Sequence, residues 1–492
     1  MKTLEIHQFK MRPGGLTGHP RYRPLRRCAH VIAAALLVIG LSPSLVLAEE
    51  HTVAEGESIA ARLLQVEPGD TIRLTGSIYH ENLVIDVPVV LISDRSATIR
   101  GGYEGNVIHI TAPGTVIDGL IISEAGPRLT KDMAGVLVEA DDVTIRNCNV
   151  TEPLHGIYVK GGNRVKIIGN TIEGRLDLIE SDRGNGIHLW NSTDNRVEDN
   201  EIFNVRDGIY FSFADSTKIV RNHIHHVRYG LHYMYSNDNS FQDNLFENNV
   251  AGAALMYSED IEFERNTFAR CRGFRAYGIL LQSMARVTAR SNLILDNSRG
   301  FFLNNTNTST ISDNDVVDND LAVQLNGGCD GNQFFGNNFI NNLSELLLDV
   351  SDRETKWATN EVGNYWTGYR GYDLDRDGVG DIPFVIQNVF QVLESKVPEV
   401  RFYLLSPAAE VLRVAEETLP ILRLGDAEDP RPFMRPAAHE EVPWQAVKEH
   451  KMESDQMWAL IFLIGSVAPA GALLHLSRQP KNRSTSPRRS DA

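Results

Sequence analysis

Histidine and methionine side chains crowd residues 221–260, with a spacing that could bind a soft metal ion. Met234 follows His232 by two positions, and Met256 follows Met234 by 22. Thioether sulfur together with imidazole nitrogen is a ligand set that suits monovalent copper. Methionine and aromatic side chains on an exposed strand could equally form a protein-docking patch. Either role requires a fold that brings these three side chains together.

Two marker residues recur through the middle of the chain with a common period, which indicates a repeat protein. The asparagine series has steps of 30, 22, 22, 22, 26, 22 and 23 residues and consists of Asn170, Asn200, Asn222, Asn244, Asn266, Asn292, Asn314 and Asn337. A glycine series runs in phase with it and consists of Gly156, Gly186, Gly208, Gly230, Gly252, Gly278 and Gly300. Series in phase indicate a solenoid, and the alternation of apolar and polar residues around them is typical of strands. The sequence therefore predicts an all-β fold, a right-handed parallel β-helix over 49–360, in which each asparagine stacks on the next.

The glycine series also separates inward from outward side chains. Positions one and three after each glycine are apolar and are expected to point into the coil, so positions two and four face outward. Neighbouring coils lie about 4.8 Å apart, which places His232, Met234 and Met256 together on one outer wall. His188 lies two coils away on that wall, and Met284 is expected to face outward further along. We predict a transient Cu(I) site drawn from these five residues.

Two insertions lengthen the repeat at one corner of the coil. Residues 174–183 and 271–276 each lie between an asparagine marker and the next glycine, where the regular interval is 8 residues. Insertions on one side of a solenoid tend to rim its working surface, and tolerated loop drift is the alternative. His223 and His225, on the strand before this corner, share parity and are expected to point outward into solvent.

An aromatic and acidic segment, 361–384, follows the solenoid and is expected to cap its open end. It contains alternate carboxylates around a glycine, as in the first half of a calcium loop; these are Asp373, Asp375, Asp377 and Asp381. Phe384 stands where such a loop has its bidentate glutamate. A calcium loop and a metal-free Asp/Gly turn both stay open.

The two ends of the chain predict export and membrane attachment. Residues 1–48 combine an arginine-rich start, an apolar run and small residues before Glu49, which is typical of a signal peptide. Residues 456–477 contain an apolar run long enough to span a bilayer. The basic tail 478–492 favours the cytoplasmic side, so the body of the protein would lie on the outer face of the inner membrane.

The charge distribution argues against nucleic-acid binding. The chain has a formal charge of −16, and its termini are basic, so the body between them carries about −26. Such a body cannot neutralise phosphates, but it would attract cations or a basic partner.

Three segments resemble the NosD family, periplasmic accessory proteins for maturation of the copper-containing nitrous oxide reductase. They are "EVGNYWTGYRGYDLDRDGVGDIPF" (361–384), "SPAAEVLRVAEETLPIL" (406–422) and "DPRPFMRP" (429–436). The resemblance covers roughly 50–440 and implies a non-enzymatic role with an ABC transporter made of a membrane subunit and an ATPase. It also implies that copper comes from a copper chaperone lipoprotein and is delivered to the reductase. The sequence holds no G-x-x-x-x-G-K-[ST] motif, so a partner must handle ATP.

Other functions remain open. Residues 385–450 form a helical and proline-rich segment that could dock on a partner or pack on its own domain, with a helix beginning at Ser406-Pro407. A structural adaptor of the transporter would bind no metal itself. A carbohydrate-binding or carbohydrate-processing β-helix protein would stack sugars on side chains such as Trp190 and Tyr210. The outward columns, however, hold no pair of carboxylates of the kind that hydrolases use.

Overall fold

The computed structural model describes residues 48–349, 354–387, 389–403, 406–418 and 427–439. The predicted signal peptide (apart from its last residue), transmembrane helix and basic tail lie outside these ranges. Within them, no helix is both long enough and apolar enough to cross a membrane.

Three long parallel sheets form the walls of the molecule, which confirms the predicted parallel β-helix. Each coil adds one strand to the first, second and third sheet in turn. The first sheet consists of Glu50–Val53, Thr71–Leu74, Val90–Ile92, Val116–Asp118, Thr144–Arg146, Lys166–Ile168, Arg196–Glu198, Lys218–Val220, Ser240–Gln242, Glu259–Glu264, Ala285–Arg290, Thr310–Ser312 and Gln333–Phe335. The second consists of Ile78–His80, Thr98–Arg100, Ile121–Ser123, Asn149–Thr151, Thr171–Glu173, Glu201–Phe203, His223–His225, Leu245–Glu247, Thr267–Ala269, Leu293–Leu295, Asp315–Val317, Asn338–Ile340 and Tyr365–Trp366. The third consists of Leu83–Ile85, Ile108–Ile110, Ala134–Val138, His155–Lys160, Ile187–Thr193, Asp207–Asp215, Tyr229–Met234, Ala251–Met256, Tyr277–Gln282, Phe301–Asn304, Leu321–Leu325 and Ser344–Leu348.

Few other elements occur in the described residues. The α-helices are Ile59–Leu63, Val389–Lys396 and Pro407–Thr418, and the 3-10 helices are Leu129–Lys131, Glu180–Asp182 and Pro398–Tyr403. Two short strands, Phe384–Val385 and Glu428–Asp429, pair antiparallel.

The interior of the solenoid is a continuous apolar core. The columns one and three positions after each marker glycine are fully buried, as the alternation predicted; Leu231 and Tyr233 on one strand, for example, are 0% exposed. Because each coil stacks its apolar residues on those of the next, the core runs the length of the solenoid.

The asparagine series forms a buried hydrogen-bonded ladder between the first and second sheets, as predicted. Oδ1 of Asn244 accepts hydrogen bonds from the backbone N–H and the Nδ2 of Asn222, at 2.8 and 3.0 Å. Nδ2 of Asn244 donates in turn to the backbone oxygen of Ile219 and to Oδ1 of Asn266. Each side chain thereby satisfies turn groups that would otherwise be buried without partners.

The glycine series exists because the backbones of successive coils approach closely where the second sheet turns into the third. A Cβ atom on Gly230 would lie 2.4 Å from the backbone oxygen of Gly252, and one on Gly208 would lie 2.7 Å from that of Gly230. Any side chain there would force neighbouring backbones apart.

Both ends of the solenoid are covered. Helix Ile59–Leu63 closes the first end, with its N-terminal amides bonded to Ser58 and Glu81. At the other end Tyr365–Trp366 adds a last strand to the second sheet, and the Trp366 ring stacks on Phe339 with centroids 4.1 Å apart.

The C-terminal segment divides into two parts with different surroundings. Helix Pro407–Thr418 begins where predicted, with Ser406 Oγ accepting from the Ala409 amide at 3.3 Å, and its Val411 side chain is 67% exposed. Residues 427–439, by contrast, lie along the solenoid and cap. The backbone of Ala437 exchanges two hydrogen bonds with the side chain of Asn338.

The two predicted insertions leave the same corner of the coil. Residues 174–183 lie between a strand of the second sheet and one of the third, and so do residues 271–276. Their most exposed apolar side chains are Leu176, Ile179 and Phe274.

Candidate copper site

The outer face of the third sheet carries a column of alternating tyrosine and histidine rings. Tyr158, His188, Tyr210 and His232 are paired in register on four successive strands. The Tyr158 and His188 rings stack with centroids 4.3 Å apart, and Tyr210 meets the rings of His188 and His232 edge-on at 4.6 and 4.9 Å. Since the strands hold these residues one above another, the positions of the rings are fixed by the sheet.

His232 has the environment of an oriented metal ligand. Its Nδ1 lies 2.8 Å from Oδ2 of Asp207, a carboxylate that is only 2% exposed. The imidazole therefore donates from Nδ1, and Nε2 keeps the lone pair with which a histidine binds a metal. Arg228 also binds both oxygens of Asp207, at 2.8 and 2.6 Å, which holds the carboxylate in place.

The charge of Asp207 is maintained in spite of its burial. Burial alone would raise the pKa of Asp207, but the hydrogen bonds from His232 and Arg228 outweigh it and hold the pKa below its usual value. Between the two tautomers of the His232 imidazole, an ionised Asp207 favours the one with its proton on Nδ1, and it makes Nε2 a better donor to a metal.

Met234 and Met256 lie side by side on the same wall as His232. Their Cα atoms are partners on adjacent parallel strands, and Met234 has the same strand parity as His232. Both methionines are half-buried. The backbone positions predicted for His232, Met234 and Met256, on one outer wall of neighbouring coils, are therefore present, and we call these three residues the copper wall.

His188 does not belong to the copper wall. Tyr210 lies between it and His232, so two strand spacings, about 9.6 Å, separate their backbones. The Tyr210 ring fills the space between the two imidazoles and meets both edge-on. His188 lies two coils from His232, as predicted, and its part in a copper site stays a prediction.

His188 is instead enclosed by other rings. Both of its ring nitrogens are buried and have no hydrogen-bond partner in the described part of the chain. Its ring lies against Tyr158, Tyr210 and His155. Burial lowers the pKa of His188 to about 3, and the neighbouring His155 and His232 add to the shift, so the ring is neutral at physiological pH.

The outward position predicted for Met284 is wrong. Met284 is 1% exposed and belongs to the main apolar core. The strand of the third sheet ends at Gln282, and Ser283 adopts a left-handed backbone with φ of 53°. This one residue at the corner reverses the parity that a strand would have continued, so the next side chain turns inward.

His223 and His225 point outward from the second sheet, but they are half-buried rather than solvated. Their side chains are 27% and 16% exposed. The expectation of a solvated surface is wrong, because carboxylates and rings of neighbouring coils cover both imidazoles.

A stack of exposed aromatic rings beside the copper wall was not anticipated from the sequence. Phe213, Tyr235 and Tyr257 stack in succession, with centroids 5.4 and 5.2 Å apart, and each is between 45% and 55% exposed. Tyr235 and Tyr257 directly follow Met234 and Met256. The signal was in the sequence, because these rings recur every 22 residues, five positions after a marker glycine.

The acidic loop folds around its glycine with the carboxylates pointing toward one another. Ligand oxygens of Asp373, Asp375 and Asp377 lie within 4.8 Å of each other. Both oxygens of Asp373 accept backbone amides, from Arg376 and Gly378, and the Asp381 carboxylate accepts the Leu374 amide. The calcium interpretation of these four aspartates stays a prediction.

Comparison with known proteins identifies the family of this chain. A family described as "Periplasmic copper-binding protein (NosD)" matches residues 168–371. A protein of Stutzerimonas stutzeri, named as a probable ABC transporter binding protein NosD, is 36% identical over 399 residues, which are 78% of this chain and 91% of that protein. The chain belongs to the NosD family. A Pseudomonas aeruginosa protein of the same name is 36% identical over 425 residues, 83% of this chain and 96% of its own length.

The similarity of this NosD-family protein to solved structures is low. The Dettilon tailspike protein has a TM-score of 0.43 and 18% identity, covering 58% of this chain and 66% of its own. The catalytic domain of a GH87 α-1,3-glucanase has a TM-score of 0.45 and 12% identity, covering 66% and 70%. Such distant likenesses carry no argument about function.

The family membership supports three coarse statements. The family is described as periplasmic and copper-binding, and its members from two organisms are named as probable ABC transporter binding proteins. The copper wall lies inside the matched range 168–371.

Proposed function

We propose that this protein is a non-enzymatic periplasmic accessory protein that holds Cu(I) transiently on the copper wall. It receives the ion from a copper chaperone lipoprotein and works with an ABC transporter, a membrane subunit and its ATPase, in assembling the copper centres of nitrous oxide reductase. The observation that carries the proposal is the Asp207–His232 pair, which leaves the imidazole Nε2 as a donor on the wall that also carries Met234 and Met256.

The ligand chemistry supports a transient site better than a permanent one. One imidazole and two thioethers are soft neutral donors that suit monovalent copper and give little to harder cations. All three side chains are half-buried rather than enclosed. An ion held there stays accessible to a partner's ligands, as a hand-over between proteins requires.

The surface next to the copper wall supports partner docking. The stack of Phe213, Tyr235 and Tyr257 is apolar, rigid and exposed, and tyrosine and phenylalanine are enriched where proteins bind each other. We assign this stack to the copper donor or recipient, because it lies next to the methionines that would exchange the ion.

A structural adaptor that binds no metal is the second candidate function. It is favoured by the exposed apolar side of helix Pro407–Thr418, where Val411 and Val414 are 67% and 47% exposed. Such a surface fits attachment to the transporter whether or not the solenoid carries copper.

A Cu(I) titration distinguishes these functions. The full chain is titrated anaerobically against a chromogenic Cu(I) chelator, beside a His232→Ala/Met234→Ala/Met256→Ala variant. The copper proposal predicts one competing site in the native protein and its loss in the variant.

His109→Ala provides the matched control. His109 also faces outward from the third sheet and binds a carboxylate, Glu139, at 2.7 Å, but its register partners on the two neighbouring strands are Val84 and Leu137 rather than methionines. This variant should keep native Cu(I) affinity. Equal Cu(I) binding by the native protein and the triple variant would show that the copper wall is not the copper site. An absence of Cu(I) binding by both proteins would favour the structural adaptor.

A further inference from the structure

A second cluster of metal-ligating side chains lies on the second sheet, on a different wall from the copper wall. His223 and His225 lie on one strand with the same parity, and Glu201 lies on the adjacent strand, directly beside His223. One ligand atom from each of the three falls within 4.8 Å of the others. Nε2 of His225 is 3.6 Å from Oε1 of Glu201, and the two imidazole rings lie 4.4 Å apart.

The surrounding residues orient the His225 imidazole. Nδ1 of His225 lies 2.7 Å from Nδ1 of His226, so a proton on the His225 Nδ1 leaves Nε2 as the donor on the side of Glu201. The Phe203 ring stacks on His225 with centroids 5.0 Å apart and an angle of 5°. Such outer contacts fix the ring and tautomer of a metal-binding histidine.

A second carboxylate borders the cluster and is itself paired with an arginine. Oε1 of Glu247, on the strand of the next coil, is 3.0 Å from Nε2 of His223, and Glu247 also pairs with Arg270. The charges of Glu247 and Arg270 cancel, so Glu201 leaves the cluster with a net negative charge.

We propose that Glu201, His223 and His225 form a binding site for a borderline divalent cation, Zn²⁺ or Cu²⁺. Two imidazoles and one carboxylate are a ligand set that Zn²⁺ takes in four-coordinate sites with a water in the fourth position, and that Cu²⁺ also accepts. Ligand atoms around such an ion lie about 3.3 Å apart, so the three side chains need only small rotations to close. The site contains no thioether and is chemically distinct from the copper wall.

The experiment is metal binding by the full chain after removal of metals with a chelator. Equilibrium dialysis against Zn²⁺ and, separately, Cu²⁺ is expected to show one site whose affinity falls at least about tenfold in His223→Ala/His225→Ala. Glu201→Gln, which keeps the size of a half-exposed side chain, should weaken binding in the same direction and keep the fold. For Cu²⁺, electron paramagnetic resonance should show coupling to two imidazole nitrogens.

One control separates this site from other histidines of the same sheet. His80→Ala removes an exposed histidine of the second sheet and should bind Zn²⁺ and Cu²⁺ as the native protein does. Binding of either ion alone identifies the cation. The proposal is overturned if neither ion binds, or if the Glu201 and double-histidine variants bind both ions with native affinity. None of these outcomes depends on Cu(I) binding at the copper wall.

Discussion

Asp207 orients the His232 imidazole, and this role could not be predicted from the sequence. It precedes a marker glycine by one position, where the strand pattern assigned no role. Only the fold brings it under an imidazole 25 residues further along the chain. The common wall of His232, Met234 and Met256 was predictable because Met234 and Met256 are one repeat apart and His232 has the strand parity of Met234. A side-chain contact between two neighbouring coils, by contrast, leaves no periodic pattern in the sequence.

Replacing Asp207 with asparagine tests the orientation of His232. The amide can no longer hold the His232 proton on Nδ1 through a charge, so Cu(I) affinity should fall about 10- to 100-fold, the usual effect of losing such a partner. The chelator competition measures it. Glu139→Gln, which removes the charge of the carboxylate bound to His109, should leave Cu(I) affinity unchanged.

The Asp207 variant must also be checked for folding, because Arg228 loses its charged partner. Circular dichroism reports whether the strands persist. Unaltered Cu(I) affinity in a folded Asp207→Asn protein would show that His232 does not bind copper through Nε2.

At the scale of single elements, the asparagine ladder shows how far a repeat pattern can be interpreted. Both the stacking of asparagines and the inward columns followed from period and parity. The inward direction of Met284 did not follow from them, because side chains alternate regularly only within a strand. The left-handed backbone of Ser283 interrupts that alternation just before Met284. Predictions of side-chain direction are therefore sound inside the strands and fail at the corners, where sequence gives no steady period.

Asn244→Ala tests the ladder. The substitution removes the acceptor of the Asn222 amide and the donor to Ile219, leaving buried polar groups without partners. Each such group costs about 1–3 kcal/mol, so the free energy of unfolding should fall by roughly 3 kcal/mol in urea denaturation. Asn304→Ala, at an outward half-buried position on a strand, should change it by about 0.5 kcal/mol or less. Equal effects would mean that the ladder contributes no special stability.

On the scale of the whole molecule, one buried aspartate joins the two family-like motifs into a single unit. Oδ2 of Asp429, in "DPRPFMRP", accepts hydrogen bonds from the backbone and side chain of Asn364 and from Nε1 of Trp366, both in the cap. Asn364 is itself the last member of the asparagine ladder, since it accepts from Asn337. The sequence identified both motifs but could not show that they touch, because 65 residues separate the bonded partners.

The same unit has consequences for the segment 385–450, which the sequence assigned to partner docking. Residues 427–439 are occupied by contacts with the solenoid and cap, and their main chain bonds to Asn338, Asn364 and Gly378. Among the described residues of this segment, exposed apolar side chains remain on 389–403 and on helix Pro407–Thr418, for example Tyr403 and Val411, and their docking role stays a prediction.

His439 makes the attachment of residues 427–439 sensitive to pH. Nδ1 of His439 lies 3.0 Å from Oδ1 of Asp315, and Nε2 lies 2.8 Å from the backbone oxygen of Gly336, so the imidazolium form can donate to both acceptors. Burial lowers the pKa of His439, but the bond to Asp315, aided by Gly336 and the nearby Asp313, outweighs it and leaves the pKa above its usual value. The Asn338 amide also faces the ring, at 3.3 Å from Nδ1.

The sign of the effect follows from that raised pKa. The folded state binds the His439 proton more tightly than the unfolded state, so the stabilisation is complete below the ordinary histidine pKa of about 6.5 and is lost as pH rises through the folded value. Hydrogen exchange of the Ala437 amide, which bonds to Asn338, should thus show stronger protection at pH 6 than at pH 9 after correction for intrinsic rates. Asp315→Asn should flatten this dependence, while His51→Ala at the opposite end of the solenoid should leave it intact. A pH dependence that survives in Asp315→Asn would assign the effect to another group, because the raised affinity of His439 for its proton depends on that carboxylate.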